Sequence, residues 1–315
     1  MLACVFPGQG SQSVAMLADL ARAFPVVQAT FEEASENLSV DLWDLSQNGP
    51  EEDLNRTENT QPALLAAGIA TWRVWQAEGG SMPAYLAGHS LGEYTALVAA
   101  GSLGLVEAAA LVAERGRLMQ QAVPAGSGAM AAILGLDDAE VQAACEEAAE
   151  GDVVAPANLN SPGQVVIAGS AAAVERAIGK AQEKGARRAV PLAVSVPSHC
   201  ALMRPAAEAL GERLDVLEIR APAIPVVHNV DAETHDDPDA IRGALKAQLY
   251  QPVRWAESVA RLKTLGVERI AECGPGKVLT GLMRRIDRAI DARAVLDPES
   301  LSTAIEAWRE QEDEA

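Results

Sequence analysis

The sequence predicts an α/β fold, in which a large domain built on a parallel sheet carries a smaller inserted subdomain. Three observations support this prediction. Short apolar runs, such as residues 2–6, alternate with longer stretches of helical periodicity, the pattern of buried parallel strands and their covering helices. A glycine-flanked serine, Ser90, lies between one such run and the next helical stretch. Over residues 126–197 the predicted order of elements changes to β-α-β-β-α-β.

Composition sets limits on the class of protein. The chain has 315 residues, of which 49% are hydrophobic, so it can bury a core for one large domain with an insert. A formal net charge of −19 argues against binding to nucleic acid or to an anionic membrane. The four cysteines are widely spaced and form no C-x-x-C pair, which favours reduced thiols over disulfides or a zinc site. With no basic leader and no apolar run of membrane length, a cytoplasmic protein is expected.

The first strand, residues 2–6, runs into a loop with the sequence PGQGSQ. This loop lacks the third glycine of a dinucleotide-binding fingerprint, because Ser13 stands there, so a Rossmann cofactor site is not expected. Gln9 lies between two glycines and could present its backbone N–H to a ligand. An ordinary strand-to-helix loop stays open as the alternative.

The segment 88–92 has the form G-x-S-x-G, with Ser90 at its centre. An apolar run precedes it and a helical stretch, 91–100, follows. This strand, turn and helix context is that of the nucleophile elbow in α/β-hydrolase-like domains. The N–H of Leu91, at the start of the helix, is the obvious donor for an oxyanion formed beside Ser90. A plain glycine-serine turn is the alternative.

Arg115 stands out within the helix predicted over 105–123. It lies at the edge of the apolar stripe of that helix, and an arginine facing an apolar interior needs a partner. Two interpretations stay open: a surface arginine whose stem covers apolar neighbours, or a fixed cation that awaits a carboxylate ligand. Further elements in the large domain are predicted over 14–23, 26–37, 63–78, 240–250, 258–265, 267–272 and 278–285, all helical except 267–272, which is a strand.

The predicted insert spans residues 126–197, and its β-α-β-β-α-β order is the ferredoxin-like signature. The large catalytic domain would then comprise residues 1–125 and 198–315. The strands of the insert are predicted over 129–134, 153–158, 165–168 and 188–194, and its helices over 138–149 and 171–184.

A serine nucleophile needs a base, and the candidates are the four histidines, His89, His199, His228 and His235. His199 is favoured because it follows the return of the insert, at a domain junction where clefts form. His89 adjoins Ser90 and is expected to point away from it. A structural role for His199 stays open, and Cys200 is a weak rival nucleophile.

Several motifs occur in order along the chain: FPGQGSQ at 6–12, GHSLGEY at 88–94, Arg115, VSVPSH at 194–199, QLYQPVRW at 248–255 and GPGK at 274–277. In combination they resemble the malonyl-CoA:acyl carrier protein transacylases of dissociated (type II) fatty acid synthesis. The resemblance covers nearly the whole chain. The combination is specific, although G-x-S-x-G alone is not.

The resemblance implies a role for each matched residue in the reaction. Ser90 is implied to be the acylated nucleophile, and His199 the general base and then the general acid. A backbone carbonyl near Gln248 is implied to orient His199, in place of the aspartate of a catalytic triad. The N–H groups of Gln9 and Leu91 are implied to form the oxyanion hole.

The same resemblance implies the substrates. Arg115 would pair with the carboxylate of malonyl-CoA, and holo acyl carrier protein would accept the malonyl group. CoA is part of the substrate, so no separate cofactor and no metal are expected, and a monomer is the usual state in this family. Carrier proteins are acidic, so a local positive patch is expected. Its candidates are Lys180, Lys184, Arg187 and Arg188, and a solvated helix face explains them equally well.

Two other functions stay open. A serine hydrolase or thioesterase of the α/β type would have an acidic residue between serine and histidine and would leave Arg115 without a role. A catalytically silent module that only binds carrier protein would not need both Ser90 and His199.

Overall fold

The computed structural model describes residues 1–193 and 196–313. The fold is mixed α/β and contains one parallel and one antiparallel sheet. The first part of the chain forms β1 (Leu2–Phe6), α1 (Ala18–Ala23), α2 (Val26–Ser35), α3 (Leu42–Asn48), α4 (Glu51–Leu54), α5 (Thr57–Ala77), β2 (Tyr85–Gly88), α6 (Leu91–Ala99) and α7 (Leu105–Ala122).

The antiparallel sheet and its two helices follow in the predicted β-α-β-β-α-β order. They are β3 (Gly128–Leu134), α8 (Asp138–Ala149), β4 (Val154–Ser161), β5 (Gln164–Ser170), α9 (Ala171–Glu183) and β6 (Arg188–Pro191). The strands lie in the order β4-β5-β3-β6, and α8 and α9 pack on one face around a core of alanine, valine and isoleucine. Strand β6 was predicted to reach residue 194, but Val194 and Ser195 lie outside the described residues.

The remaining elements return to the large domain. They are α10 (Arg204–Val216), β7 (Val226–Val227), α11 (Pro238–Gln248), α12 (Trp255–Thr264), β8 (Arg269–Cys273), α13 (Val278–Ile286), β9 (Asp291–Val295) and α14 (Pro298–Asp313). Three of these elements, α10, β9 and α14, were not predicted. Helix α5 begins at Thr57, six residues before the predicted start, and therefore contains Pro62 in its interior. None of the helices in the described ranges is long and apolar enough to cross a membrane.

The parallel sheet has the strand order β7-β2-β1-β8-β9, and its register places the functional loops. Phe6 at the end of β1 lies opposite Gly88 at the end of β2. The N–H of His89 donates to the carbonyl of Phe6 at 3.0 Å, so the two loops that follow these strands remain in contact. Because carboxyl ends of parallel strands meet at one edge of a sheet, the segments containing Gln9 and Ser90 become neighbours.

Close packing at this edge depends on Gly88. A Cβ atom on Gly88 would lie 1.9 Å from the backbone carbonyl of Gly92, far inside van der Waals contact. We expect Gly88→Ala to lower the free energy of unfolding by about 3 kcal/mol, since neither backbone can move apart without disturbing the sheet. Urea denaturation measures this change.

The matched control is Gly243→Ala in α11, where an added Cβ meets nothing within 4 Å. This change should stabilise the protein by about 0.5–1 kcal/mol, because alanine is the better helix former. Equal effects of the two substitutions would contradict the packing explanation.

Candidate active site

Ser90 occupies the turn between β2 and α6, as the predicted elbow requires. Its backbone has φ 53° and ψ −109°, a conformation that residues other than glycine rarely adopt. Hydrogen bonds hold both of its neighbouring peptide groups. The Ser90 N–H donates to Asn229 Oδ1 at 2.7 Å, and the Ser90 carbonyl accepts from Gln248 Nε2 at 2.9 Å. These bonds stabilise a strained backbone that lifts the hydroxyl into the open.

The Ser90 hydroxyl is paired with His199. Ser90 Oγ lies 2.7 Å from His199 Nε2, and His199 Nδ1 lies 2.6 Å from the backbone carbonyl of Gln248. A carbonyl can only accept, so Nδ1 must carry the hydrogen and Nε2 is left free to accept the serine proton. The Gln248 carbonyl therefore lies where the resemblance implied it, and no carboxylate of the described residues is hydrogen-bonded to the imidazole.

Burial keeps His199 neutral. Desolvation, reinforced by the nearby charge of Arg115, lowers the pKa of His199 to about 3, although the hydrogen bond to the Gln248 carbonyl acts in the opposite direction. His199 is 3% exposed. At neutral pH the imidazole is therefore in the form that can take a proton from Ser90.

This low pKa predicts an unusual pH profile. We expect the rate at which a serine-reactive phosphonate labels Ser90 to stay level from about pH 8 to about pH 5, because His199, with a pKa of about 3, remains neutral throughout. A histidine with an ordinary pKa near 6.5 would instead lose rate roughly 30-fold over that interval. Timed mass spectrometry of the labelled protein measures the rate.

Folding must be followed in parallel. The unfolded chain protonates His199 below pH ~6.5 while the folded chain does not, so stability contributed by this group is lost as pH falls from about 6.5 towards 3. Circular dichroism at each pH separates a loss of folded protein from a change in labelling rate. A fall centred near pH 6.5 in fully folded protein would contradict the assignment.

Arg115 is buried, so its interpretation as a surface arginine is wrong. Its side chain is 1% exposed and lies over the ring of Tyr94, with 5.4 Å from the guanidinium carbon to the ring centroid. Nη1 donates to Gln61 Oε1 at 2.7 Å, and Nη2 donates to Gln248 Oε1 at 3.0 Å and to Ser90 Oγ at 3.4 Å.

The charge of Arg115 lacks a direct counterion. Within the described ranges its hydrogen-bond acceptors are uncharged oxygens, and its Nε has no partner. Desolvation lowers the pKa of Arg115, and the nearby Tyr94 and Glu93 oppose that shift. A buried guanidinium without a counterion can pair with the carboxylate of a ligand.

Ser90 and Arg115 share a cleft of about 220 Å³ between the two sheets. The antiparallel sheet contributes Met130 and Val166 to its wall. His89 Nε2 lies 2.8 Å from Asn160 Oδ1 and so connects the two sides, and it makes no hydrogen bond to Ser90. Burial lowers the pKa of His89.

Gln9 and Leu91 line the same cleft. Neither backbone N–H donates to another residue in the described part of the chain. The two loops are close enough that a Cβ on Gly8 would lie 2.5 Å from the carbonyl of His89. The two N–H groups are therefore available to an oxygen atom beside Ser90.

The other candidate bases, His228 and His235, and the rival nucleophile Cys200 have hydrogen-bond partners other than Ser90. His228 is fully buried and lies 2.8 Å from a Glu93 oxygen, while His235 is partly exposed and lies 2.7 Å from Asp231. The Cys200 thiol donates to the Pro197 carbonyl, and burial raises its pKa to about 11, so it is not a thiolate.

Sequence reasoning missed three residues that support the site. Gln61 and Asn229 contact Arg115 and Ser90 from distant segments, and no local pattern marked either one. Glu93 lies within the GHSLGEY motif, but no role was predicted for it. Glu93 is fully buried beside the candidate nucleophile. Its position on the first turn of an apolar helix could have indicated this burial.

Ion pairs on the insert bear on the predicted basic patch. Lys180 forms an ion pair with Glu183, and Lys184 forms one with Glu147, which favours a solvated helix face for these two lysines.

Among the described residues, no group of three or more histidine, cysteine or acidic side chains could hold a metal ion.

The chain is similar to known proteins over most of its length. Residues 3–292 match the family model described as "Acyl transferase domain". The malonyl CoA-acyl carrier protein transacylase of Escherichia coli (strain K12) is 58% identical over 304 residues, which are 96% of this chain and 98% of that protein.

Solved structures show the same fold. The malonyl-CoA:acyl carrier protein transacylase of Xanthomonas oryzae pv. oryzae superposes with a TM-score of 0.96 at 61% identity, covering 97% of this chain and 98% of that one. A malonyl-transacylase solved in complex with its type II PKS acyl-carrier protein gives a TM-score of 0.96 at 57% identity, covering 97% and 99%. The chain therefore belongs to the malonyl CoA-acyl carrier protein transacylase family of acyltransferases.

Proposed function

We propose that this protein transfers the malonyl group of malonyl-CoA to the phosphopantetheine thiol of holo acyl carrier protein, in fatty acid synthesis, through a malonyl-serine intermediate on Ser90. The observation that carries the proposal is the shared cleft. A serine paired with a neutral histidine lies 3.4 Å from a buried arginine whose hydrogen-bond acceptors among the described residues are uncharged. That combination suits an acyl group that bears its own carboxylate.

In the first half-reaction Ser90 Oγ attacks the thioester carbonyl, and its proton passes to His199 Nε2. The carbonyl oxygen becomes an oxyanion, stabilised by the N–H groups of Gln9 and Leu91. The intermediate collapses, the carbon–sulfur bond breaks, and the CoA sulfur leaves with the proton from His199. The pairing of Ser90 with His199 at 2.7 Å supports this assignment.

The second half-reaction uses the same groups in reverse. The carrier thiol gives its proton to His199 Nε2 and attacks the malonyl ester. The bond between the acyl carbon and Ser90 Oγ breaks, and the serine recovers the proton. One oxyanion hole serves both steps, because each passes through a tetrahedral intermediate at the same carbon.

Selectivity for an acyl group that bears a carboxylate would depend on Arg115. Its guanidinium lies over the Tyr94 ring and lines the cleft, and the planar fork of a guanidinium can pair with both oxygens of a carboxylate. An acyl group without a carboxylate leaves this buried cation without a counterion, which disfavours its transfer.

The hydrolase alternative has less support. A serine hydrolase of the α/β type has an acidic residue on its histidine, whereas the partner of His199 Nδ1 is the uncharged Gln248 carbonyl. The binding-module alternative leaves the geometry of Ser90 and His199 unexplained.

Finer features of the fold are part of the same proposal. The large unit, 1–125 and 198–315, would be α/β-hydrolase-like, and the insert, 126–197, ferredoxin-like. The strand order β4-β5-β3-β6 with both helices on one face supports the second assignment. A solved structure with β6 between β4 and β5 would contradict it. The monomeric state, the cytoplasmic location and the lack of a separate cofactor stay predictions.

Transfer itself is the direct test. The protein, malonyl-CoA and holo carrier protein are mixed, and intact mass spectrometry follows the carrier. We expect the carrier to gain one malonyl group, and apo carrier, which lacks the thiol, to gain none. Free malonate forming in place of malonyl-carrier would contradict the proposal and favour the hydrolase.

A further inference from the structure

The side-chain amide of Gln248 has a fixed orientation with consequences for Arg115. Its Oε1 accepts from Arg115 Nη2 at 3.0 Å, while its Nε2 donates to Glu93 Oε2 at 2.9 Å and to the Ser90 carbonyl at 2.9 Å. An amide has an acceptor at one end and donors at the other. If this amide turned over, its NH₂ would face the guanidinium, and two donors would oppose each other.

Glu93 is the group that prevents this turn. It is fully buried, and its Oε2 faces Gln248 Nε2, where only an acceptor can be satisfied. The Ser90 carbonyl alone would be a weaker constraint, because it supplies one acceptor to Gln248 Nε2, whereas Glu93 Oε2 supplies a second acceptor at the same distance of 2.9 Å.

Glu93 itself is held in place from the opposite side. His228 Nδ1 lies 2.8 Å from Glu93 Oε1, and the N–H of Asn229 donates to Glu93 Oε2 at 3.0 Å. The Asn229 side chain in turn bonds the Ser90 N–H and the Gly88 carbonyl. The carboxylate is therefore fixed relative to the elbow and cannot swing away from Gln248.

We infer that Glu93 is a positioning residue for substrate selectivity: by fixing the Gln248 amide, it holds the Arg115 guanidinium in the orientation that receives the acyl carboxylate. This inference rests on the proposed function. Glu93 itself does not contact the substrate. The effect of Glu93 on Arg115 is transmitted by two hydrogen bonds: Gln248 Nε2 donates to Glu93, and Arg115 Nη2 donates to Gln248 Oε1.

The test compares two substitutions at Glu93. Acylation of Ser90 by malonyl-CoA and by acetyl-CoA is followed by rapid-quench mass spectrometry over a range of concentrations. Glu93→Leu removes both acceptor oxygens, and we expect the malonyl-to-acetyl ratio of kcat/KM to fall about tenfold or more, mainly through a higher KM for malonyl-CoA.

Glu93→Gln should restore the ratio to within about threefold of wild type. It can direct its oxygen to Gln248 and Asn229 and its NH₂ to His228, whose ring can then carry its hydrogen on Nε2. Rescue by this uncharged residue would identify the acceptor towards Gln248 as the requirement. A Gln variant as defective in the ratio as the Leu variant would overturn that part of the inference.

Glu272 supplies the matched control. It is also a fully buried carboxylate of the large domain, but its oxygens accept from the N–H groups of Leu279 and Thr280. Glu272→Leu should lower the melting temperature and leave the malonyl-to-acetyl ratio unchanged. If Glu93→Leu does not fold, Gln248→Met takes its place, because it removes the amide and keeps the backbone carbonyl that His199 needs.

The outcomes are distinct. An unchanged ratio in folded Glu93→Leu or in Gln248→Met would overturn the inference. So would a proportional fall with both substrates, since a purely structural defect damages both alike. If wild type is not acylated by malonyl-CoA at all, the proposed function fails instead.

Discussion

Replacing Ser90 with alanine will abolish the acyl-enzyme and reduce transfer to the carrier by roughly 10⁴-fold or more. The reason is chemical: no other nucleophile in the described part of the cleft lies within hydrogen-bond reach of His199 Nε2. The nearby Cys200 thiol is buried, its pKa is raised to about 11, and it donates to the Pro197 carbonyl. Intact mass after incubation with malonyl-CoA measures the adduct.

Ser11→Ala is the control for this change, because Ser11 lines the same cleft on the loop after β1. It should retain the malonyl adduct. An adduct that persisted in Ser90→Ala would show that a different residue is acylated, and peptide mapping would locate it. In that case the elbow would have only a structural function.

Replacing Arg115 with alanine will change which acyl groups are accepted. We expect kcat/KM for acylation by malonyl-CoA to fall about 100-fold or more, equivalent to about 3 kcal/mol, because the malonyl carboxylate would enter a buried cleft without its cation. Acylation by acetyl-CoA should be at least as fast as in wild type, because the unpaired guanidinium is gone. Parallel single-turnover measurements with the two thioesters test both statements.

Arg117→Ala is a suitable control on the same helix. Arg117 is exposed on the far side of α7 and pairs with Glu114, so its loss should leave both acylation rates unchanged. If Arg115→Ala slowed both thioesters equally, the arginine would support the elbow rather than select the acyl group. The 3.4 Å contact between Arg115 Nη2 and Ser90 Oγ makes that outcome a real alternative.

The sequence marked the candidate reactive residues, and the family resemblance supplied their roles. Ser90 has a glycine on either side of the turn, and strand and helix patterns surround it. Arg115 interrupts the edge of an apolar stripe. His199 was predicted from its place at the junction with the insert, and the structure brings it within 2.7 Å of Ser90.

The supporting residues could not be predicted in this way, because tertiary folding alone brings them to the site. Asn229 follows a two-residue strand and reaches Ser90 across 139 positions of sequence. Gln61 lies just before the helix predicted to begin at residue 63, yet the helix begins at Thr57 and contains Pro62. Packing against α2 and α7 overrides the usual preference of proline for a first turn.

Two of the elements that were not predicted, β9 and α14, were missed for different reasons. Strand β9 contains Asp291 and Arg293, so its sequence lacks the continuous apolar run of a buried parallel strand, which reflects its position at the sheet edge. Helix α14 did carry a signal, since Leu301, Ala304, Ile305 and Trp308 follow the helical spacing and are all buried.

The fate of the acyl group on Ser90 tests the central claim most directly. The protein is acylated with malonyl-CoA, freed of excess thioester, and divided between buffer and buffer containing holo carrier protein, with intact masses recorded over time. We predict that the malonyl adduct persists in buffer and moves to the carrier within the first turnovers when the carrier thiol is present. Loss of the adduct to free malonate at the same rate in both samples would contradict the account, because Ser90 and His199 would then serve water as the acceptor.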